Sequence, residues 1–229
     1  MESPDSIPNN VPARSSISWW EAILVVIVAF FLTGIVGGIA LFVADLGTAL
    51  VVGELVILAV PLVYLLSKSL DVKSYIRLNL KPKYILIGLG CAFLLLLLNI
   101  VSSAVLTEIF GVSEAIEDTN ARIVELSASP LGLTAVTLSL TLAGICEEFA
   151  LRGFLQNTLT RRFSFIPAVL VSAAFFGLFH FDPQLVYIIA SFVSGLALGA
   201  IYYRWGYAAS ATAHSVMNII VLLFLIYGI

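Results

Sequence analysis

Long runs of apolar residues, separated by short polar stretches, follow one another from residue 19 to the end of the chain. The runs show no alternation of apolar and polar positions, so they do not predict strands. A helix needs roughly 17–25 residues to cross a bilayer. The pattern therefore predicts seven membrane-spanning helices, at residues 19–43, 48–67, 84–109, 131–158, 165–181, 184–203 and 207–228.

The composition agrees with a lipid environment. Hydrophobic residues make up 61% of the 229 residues and charged residues 11%, whereas soluble domains are about 45–50% apolar and about 25% charged. A transmembrane barrel would instead show alternating segments of about ten residues. The predicted fold class is all-α, a polytopic transmembrane helical bundle of about seven spans. An undetected re-entrant segment would raise the count to eight.

Polar stretches divide the chain outside these runs. Residues 1–18 are rich in Pro, Ser and Asn and offer little apolar surface, which predicts a disordered tail. The stretch 110–129 is predicted to form a short helix at the membrane interface. The tail is followed by N-terminal transmembrane helices and loops at residues 19–130, and then by a C-terminal unit at residues 131–229.

The charges of the loops predict the orientation of this integral, multi-pass membrane protein. The loop at 68–83 carries five basic residues, whereas four of the five charged residues in the stretch 110–129 are acidic. Because cytoplasmic loops are enriched in Lys and Arg, we expect the N-terminus and the 68–83 loop on the cytoplasmic side of the cell membrane. Seven spans would then leave the C-terminus outside, and eight would reverse it.

Three ionisable side chains lie inside the fourth span, in GICEEFALRGF at residues 144–154. A charge at the centre of a span costs about 2.5–3.5 kcal/mol on insertion scales, so such residues are usually paired or functional. Glu148 and Arg152 are four residues apart and are predicted to pair on one helical face. Glu147 has no partner of its own in this span, and it is the residue that needs an explanation.

Both histidines of the chain also lie inside predicted spans. Glu147 and His180 are about 21 and 27 Å along their helices from the Arg161–Arg162 turn, so we expect the two side chains to meet. A buried carboxylate beside an imidazole could deprotonate a water. His214 and Asn218 are four residues apart, and they could donate hydrogen bonds to an oxyanion.

Three short motifs resemble those of a known family. EEFALR (147–152), FGLFH (176–180) and HSVMN (214–218) match, in order, the EExxxR, FxxxH and HxxxN motifs of the CPBP family. That family includes the type II CAAX prenyl endopeptidases and Abi-type proteins.

The resemblance implies an intramembrane endopeptidase with a catalytic four-helix core at residues 131–229. Its substrate would be a membrane-tethered or prenylated protein of the CAAX type, met in the lipid bilayer, with no role for nucleic acid. By the same resemblance Glu147 and His180 activate the water, and His214 and Asn218 form the oxyanion site. Three residues support the motifs: Glu148, Arg152 and Phe176.

Two questions stay open at the level of sequence. The family has been described both as metal-independent glutamate proteases and as metalloproteases; the absence of HExxH favours the glutamate type without a cofactor, although Glu147, His180 and His214 could still ligate zinc. The alternatives to proteolysis are a membrane scaffold or bacteriocin-immunity protein of the same fold, or a transporter.

Other residues inside the apolar runs are interpreted as structural. Glu54 in the second span is interpreted as a bundle-facing residue, and Asp182, beside Pro183, as part of a helix stop. Gly195 and Gly199 form a GxxxG match that is typical of close helix packing.

Overall fold

The computed structural model describes residues 17–228, which form helices joined by short connections and include no strand. The tail predicted for residues 1–18 therefore lies, up to residue 16, outside the described residues. The helices are α1 (Trp19–Val43), α2 (Leu46–Ser67), α3 (Val72–Tyr75), α4 (Pro82–Phe110), α5 (Glu114–Ser127), α6 (Pro130–Glu148), a π-helical segment (Phe149–Gln156), α7 (Asn157–Arg162), α8 (Phe165–Phe179), α9 (Val186–Trp205) and α10 (Tyr207–Tyr227).

The predicted all-α membrane bundle is confirmed. Among the described residues, six helices are long and apolar enough to span a membrane: α1, α2, α4, the continuous helix from Pro130 to Arg162, α9 and α10. The fifth predicted span, the shortest, corresponds to α8, which has 15 residues. The short helix predicted within 110–129 is present as α5, which buries none of its residues; its position at a membrane interface stays a prediction.

Polar residues at the start of the helices satisfy their free backbone amides. Ser18 and Glu21 form a reciprocal capping box on α1, and Asp45 accepts a hydrogen bond from the Thr48 amide at 2.8 Å on α2. Ser129 accepts one from the Gly132 amide at 3.0 Å on α6. Such caps stabilise a helix by about 1 kcal/mol, and they fix where each span begins.

The helix from Pro130 to Arg162 occupies the centre of the bundle. On one side α2 packs against α6, and α10 packs against both α4 and α6. The π-helical segment contacts α1, α2, α8, α9 and α10, and all eight of its residues are buried. The EExxxR motif therefore lies where most of the bundle converges.

The basic loop between α2 and α4 closes one end of this central helix. Tyr75 and Ile76 are buried against it, and the Asn157 side chain donates to the Tyr75 carbonyl at 2.6 Å. The Tyr75 hydroxyl lies 2.6 Å from the Thr158 hydroxyl. These contacts hold the C-terminal end of the π-helical segment in place.

Candidate active site

The three motifs come together around the ring of Phe176. The Arg152 guanidinium lies 4.5 Å from the centre of this ring. The ring centre is 4.8 Å from that of His180 and 5.5 Å from that of His214. The Phe176 ring therefore contacts both histidines and covers the guanidinium of the buried arginine.

Glu148 and Arg152 form the ion pair that the sequence predicts. Arg152 Nη1 lies 2.8 Å from Glu148 Oε1, and both side chains are fully buried. Arg152 Nη2 also donates to the Gly195 carbonyl on α9 at 3.2 Å. The two charges therefore neutralise each other, and Arg152 also joins the central helix to α9.

A second side chain repeats this contact one turn further along. Gln156 Nε2 donates to the Gly199 carbonyl at 2.9 Å. A Cβ at position 199 would lie 2.7 Å from Gln156 Oε1, and one at position 195 would lie 3.1 Å from the Ala173 Cα. The GxxxG match therefore has two roles: glycine at 199 leaves room for the Gln156 side chain, and glycine at 195 lets α9 approach Ala173 on α8.

His214 lies between the two glutamates. Its Nδ1 is 3.3 Å from Glu148 Oε1 and its Nε2 is 4.0 Å from Glu147 Oε2. A chain of charged and polar groups thus runs from Arg152 through Glu148 and His214 to Glu147. The Glu147 side chain, at 12% exposure, is the only one of the three ionisable groups in the EExxxR motif that is not fully buried.

His180 is held by its own helix. Its Nδ1 lies 2.8 Å from the Phe176 carbonyl at the end of α8, so with Nδ1 donating, Nε2 is left as a hydrogen-bond acceptor. Among residues 17–228, His214 has a nitrogen within 4.0 Å of the Glu147 carboxylate, and His180 does not. The expected direct meeting of Glu147 and His180 is therefore absent, because His180 folds back onto the last turn of α8.

Asn218 and its neighbours bind α10 to α6. Asn218 Nδ2 donates to the Leu140 carbonyl at 3.3 Å, and the Ser215 hydroxyl donates to the Thr141 carbonyl at 2.9 Å. One N–H of the Asn218 amide is thus used by α6, and the second is left for another acceptor.

Gly144 is the point of closest approach between α6 and α10. A Cβ built there would overlap the Ser215 hydroxyl and amide and would lie 2.7 Å from the Ser215 Cα. Since Ser215 follows His214 directly, the distance between the two helices at Gly144 also sets the distance from His214 to the glutamates.

Gly144→Ala is expected to separate α6 from α10 and to lower kcat by about 10²-fold, the effect of a misplacement of about 1 Å at a catalytic group. The overpacking itself should cost about 1–3 kcal/mol. Hydrolysis rates and thermal unfolding in detergent would measure the two effects. Gly90→Ala is the matched control, because Gly90 also lies in a helix and a Cβ there meets nothing within 4 Å. A normal rate for Gly144→Ala would contradict the prediction.

Asp182 organises the turn that follows His180. It is fully buried, and its carboxylate accepts hydrogen bonds from the Ser113 hydroxyl at 2.8 Å, the Gln184 amide at 3.1 Å and the Tyr187 amide at 2.9 Å. Burial alone would raise the pKa of Asp182, but these hydrogen bonds outweigh burial and hold the pKa below its usual range. Asp182 is therefore an ionised anchor for the start of α9, which is more than a helix stop.

Three features near the site were not assigned to it from the sequence. The π-helical segment, which carries Arg152, reads as an ordinary α-helical pattern. Tyr187 packs on His180 with ring centres 4.8 Å apart, although it lies beyond the Asp182 turn. Glu54 Oε2, on the helix that packs against α6, is buried without a hydrogen-bond partner among the described residues. An isolated carboxylate in an apolar run was the available signal for Glu54.

Glu147, His180 and His214 are the residues of the zinc alternative, which stays a hypothesis. Within residues 17–228 no three His, Cys, Asp or Glu side chains are grouped so that they could hold a metal ion. Glu147 and His214 approach one another, but His180 turns toward the Phe176 carbonyl.

Two cavities lie away from the motifs. One, of about 590 Å³, is lined by Leu46, Arg122, Glu125, Leu126 and Ser129. The other, of about 290 Å³, is a mostly apolar groove between α1 and α2. Neither is lined by a motif residue, so neither is the candidate active site.

Comparison with known proteins supports the resemblance carried by the motifs. Residues 129–220 match the family model of the type II CAAX prenyl endopeptidase Rce1-like proteins, and this range contains all three motifs. No curated protein and no solved structure matches the chain. Over residues 129–220, the chain is therefore similar to the Rce1-like type II CAAX prenyl endopeptidases.

Proposed function

We propose that this protein is an intramembrane endopeptidase that hydrolyses a peptide bond in a membrane-associated, prenylated protein of the CAAX type. The observation that carries the proposal is the position of Glu147. It lies in the region that matches the family, the Arg152–Glu148 pair does not neutralise it, and its side chain keeps some exposure.

In the proposed reaction a water attacks the carbonyl carbon of the scissile peptide. Glu147 takes a proton from the water as the new C–O bond forms, and His180, with Nε2 free, helps to hold that water. His214 and Asn218 stabilise the oxyanion. The C–N bond then breaks, the proton passes from Glu147 to the leaving nitrogen, and the products are a carboxylate and an amine. No metal ion and no covalent acyl-enzyme takes part.

Glu148, Arg152 and Phe176 act indirectly in this proposal. The ion pair fixes Glu148, and Glu148 in turn orients His214 through Nδ1. Residues 131–229 form the catalytic unit, and residues 19–130 complete the bundle around it. We further propose that the protein lies in the cell membrane with its N-terminus in the cytoplasm, because the basic 68–83 loop favours that side.

The test is cleavage of a prenylated C-terminal peptide by the purified full chain in proteoliposomes, with the products identified by mass spectrometry. We expect cleavage that survives exhaustive chelation. Cleavage that chelation abolishes and zinc restores would overturn the metal-free mechanism. An absence of cleavage of prenylated and other membrane-tethered peptides by folded protein would overturn the peptidase and favour a scaffold or immunity protein. Vesicle transport that depends on His180, without hydrolysis, would favour a transporter.

A further inference from the structure

Tyr187 is an aromatic residue that packs against the candidate site. Its ring meets the His180 ring edge to face, with centres 4.8 Å apart and planes at 74°, whereas Phe176 contacts the same imidazole with ring centres also 4.8 Å apart. His180 is therefore held between two aromatic rings, and its Nδ1 is bound to the Phe176 carbonyl. Tyr187 is the one of the two rings that carries a polar group.

Tyr187 is anchored without the use of that polar group. Its backbone N–H donates to Asp182 Oδ2 at 2.9 Å, and Asp182 is itself fully buried and tied to Ser113. The contact fixes the first turn of α9 beside His180. Because the amide makes the contact, the anchoring leaves the phenol hydroxyl free to bind another group.

Tyr187 also lies beside the histidine proposed to hold the water. Its ring centre is 4.8 Å from that of His180. Tyr187 thus packs on the side chain that would hold the attacking water. This places Tyr187 beside the space in which the water and the scissile carbonyl would meet.

The oxyanion donors suggested by the motifs are already partly engaged. His214 Nδ1 faces Glu148 at 3.3 Å, and Asn218 Nδ2 donates to the Leu140 carbonyl at 3.3 Å. A charged tetrahedral intermediate in a low-dielectric site needs well-placed donors. A tyrosine hydroxyl is a neutral donor that keeps its proton at physiological pH.

We propose that Tyr187 is a further catalytic residue, whose hydroxyl donates a hydrogen bond to the oxyanion formed when water attacks the scissile carbonyl. This inference rests on the proposed peptidase function. Tyr187 loses no proton in the reaction; its hydrogen bond strengthens as negative charge develops on the carbonyl oxygen. Asp182 is the positioning residue that sets the depth of the hydroxyl.

The test is Tyr187→Phe, which removes the hydroxyl and keeps the ring on His180. Loss of one oxyanion donor lowers kcat by about 10²–10³-fold, so we expect a loss of about 10²-fold, with KM within about twofold and an unchanged thermal midpoint. Tyr203→Phe is the matched control on the same helix, since Tyr203 is 41% exposed and packs against Phe165. That variant should cleave at the wild-type rate.

A second measurement separates catalysis from folding. A prenylated peptide with a phosphonate in place of the scissile carbonyl mimics the tetrahedral intermediate, and Tyr187→Phe should weaken its inhibition about as much as it lowers kcat, while inhibition by the product peptide stays the same. Equal weakening of both inhibitors, or a wild-type kcat for Tyr187→Phe, would overturn the role of Tyr187. If the role of Tyr187 is overturned while Glu147→Gln is inactive in the same assay, the proposed peptidase function is retained. If Glu147→Gln is fully active, the proposed function itself is overturned.

Discussion

Replacing Glu147 with glutamine is expected to lower kcat for peptide hydrolysis by about 10²–10⁴-fold, the usual contribution of a general base, without lowering the thermal midpoint. The amide keeps the shape of the side chain but cannot take a proton from water. Stability is spared because Glu147 is the carboxylate that the buried arginine does not pair with. The measurements are initial rates with a prenylated peptide and thermal unfolding of the same detergent preparation.

The neighbouring Glu148→Gln is the matched control, because it makes the same chemical change one residue further along. It removes the charge that compensates Arg152, in a position that is fully buried, and we expect it to lower the thermal midpoint. The two variants should therefore differ in what they lose. Glu147→Gln should lose activity and keep its thermal midpoint, whereas Glu148→Gln should have a lower thermal midpoint. Retention of normal activity by Glu147→Gln would assign the base to another residue.

Replacing Arg152 with methionine is expected to destabilise the folded protein by about 3–5 kcal/mol, the cost of leaving a buried charge without its partner. Glu148 would lose the guanidinium at 2.8 Å, and the Gly195 carbonyl would lose its donor at 3.2 Å. Equilibrium unfolding in mixed detergent would measure the change.

The double variant Glu148→Met with Arg152→Met tests the cause of that loss. Replacing both members of a buried ion pair with apolar residues of similar volume is often neutral or stabilising, so most of the lost stability should return. Activity should not return, because His214 would no longer have Glu148 beside its Nδ1. A double variant as unstable as the single one would show that Arg152 acts mainly through α9 or through the Phe176 ring.

The helices and their limits could be predicted well because lipid demands long apolar runs and every such run is visible in the chain. The pairing of Glu148 with Arg152 was equally accessible, since a spacing of four residues places both side chains on one face of a helix. The predicted tail could not be compared with the described residues, and the sidedness of the membrane stays a prediction.

The contacts between helices were harder to predict, because depth along a helix does not fix the direction of a side chain. Glu147 and His180 were placed at similar depth, yet the imidazole of His180 turns to the Phe176 carbonyl and His214 approaches Glu147 instead. Tyr187 gave no signal, since its place beside His180 depends on the turn that Asp182 holds.

The two parallel contacts from Arg152 and Gln156 to α9 have a consequence for the whole bundle. Their acceptors, Gly195 and Gly199, have the same four-residue spacing as the donors. A slip of α9 by a single residue would therefore leave both buried donors without an acceptor at the same time. Because Tyr187 is carried by that same helix, its height relative to Glu147 is set by this register between helices and not by the thickness of the surrounding lipid.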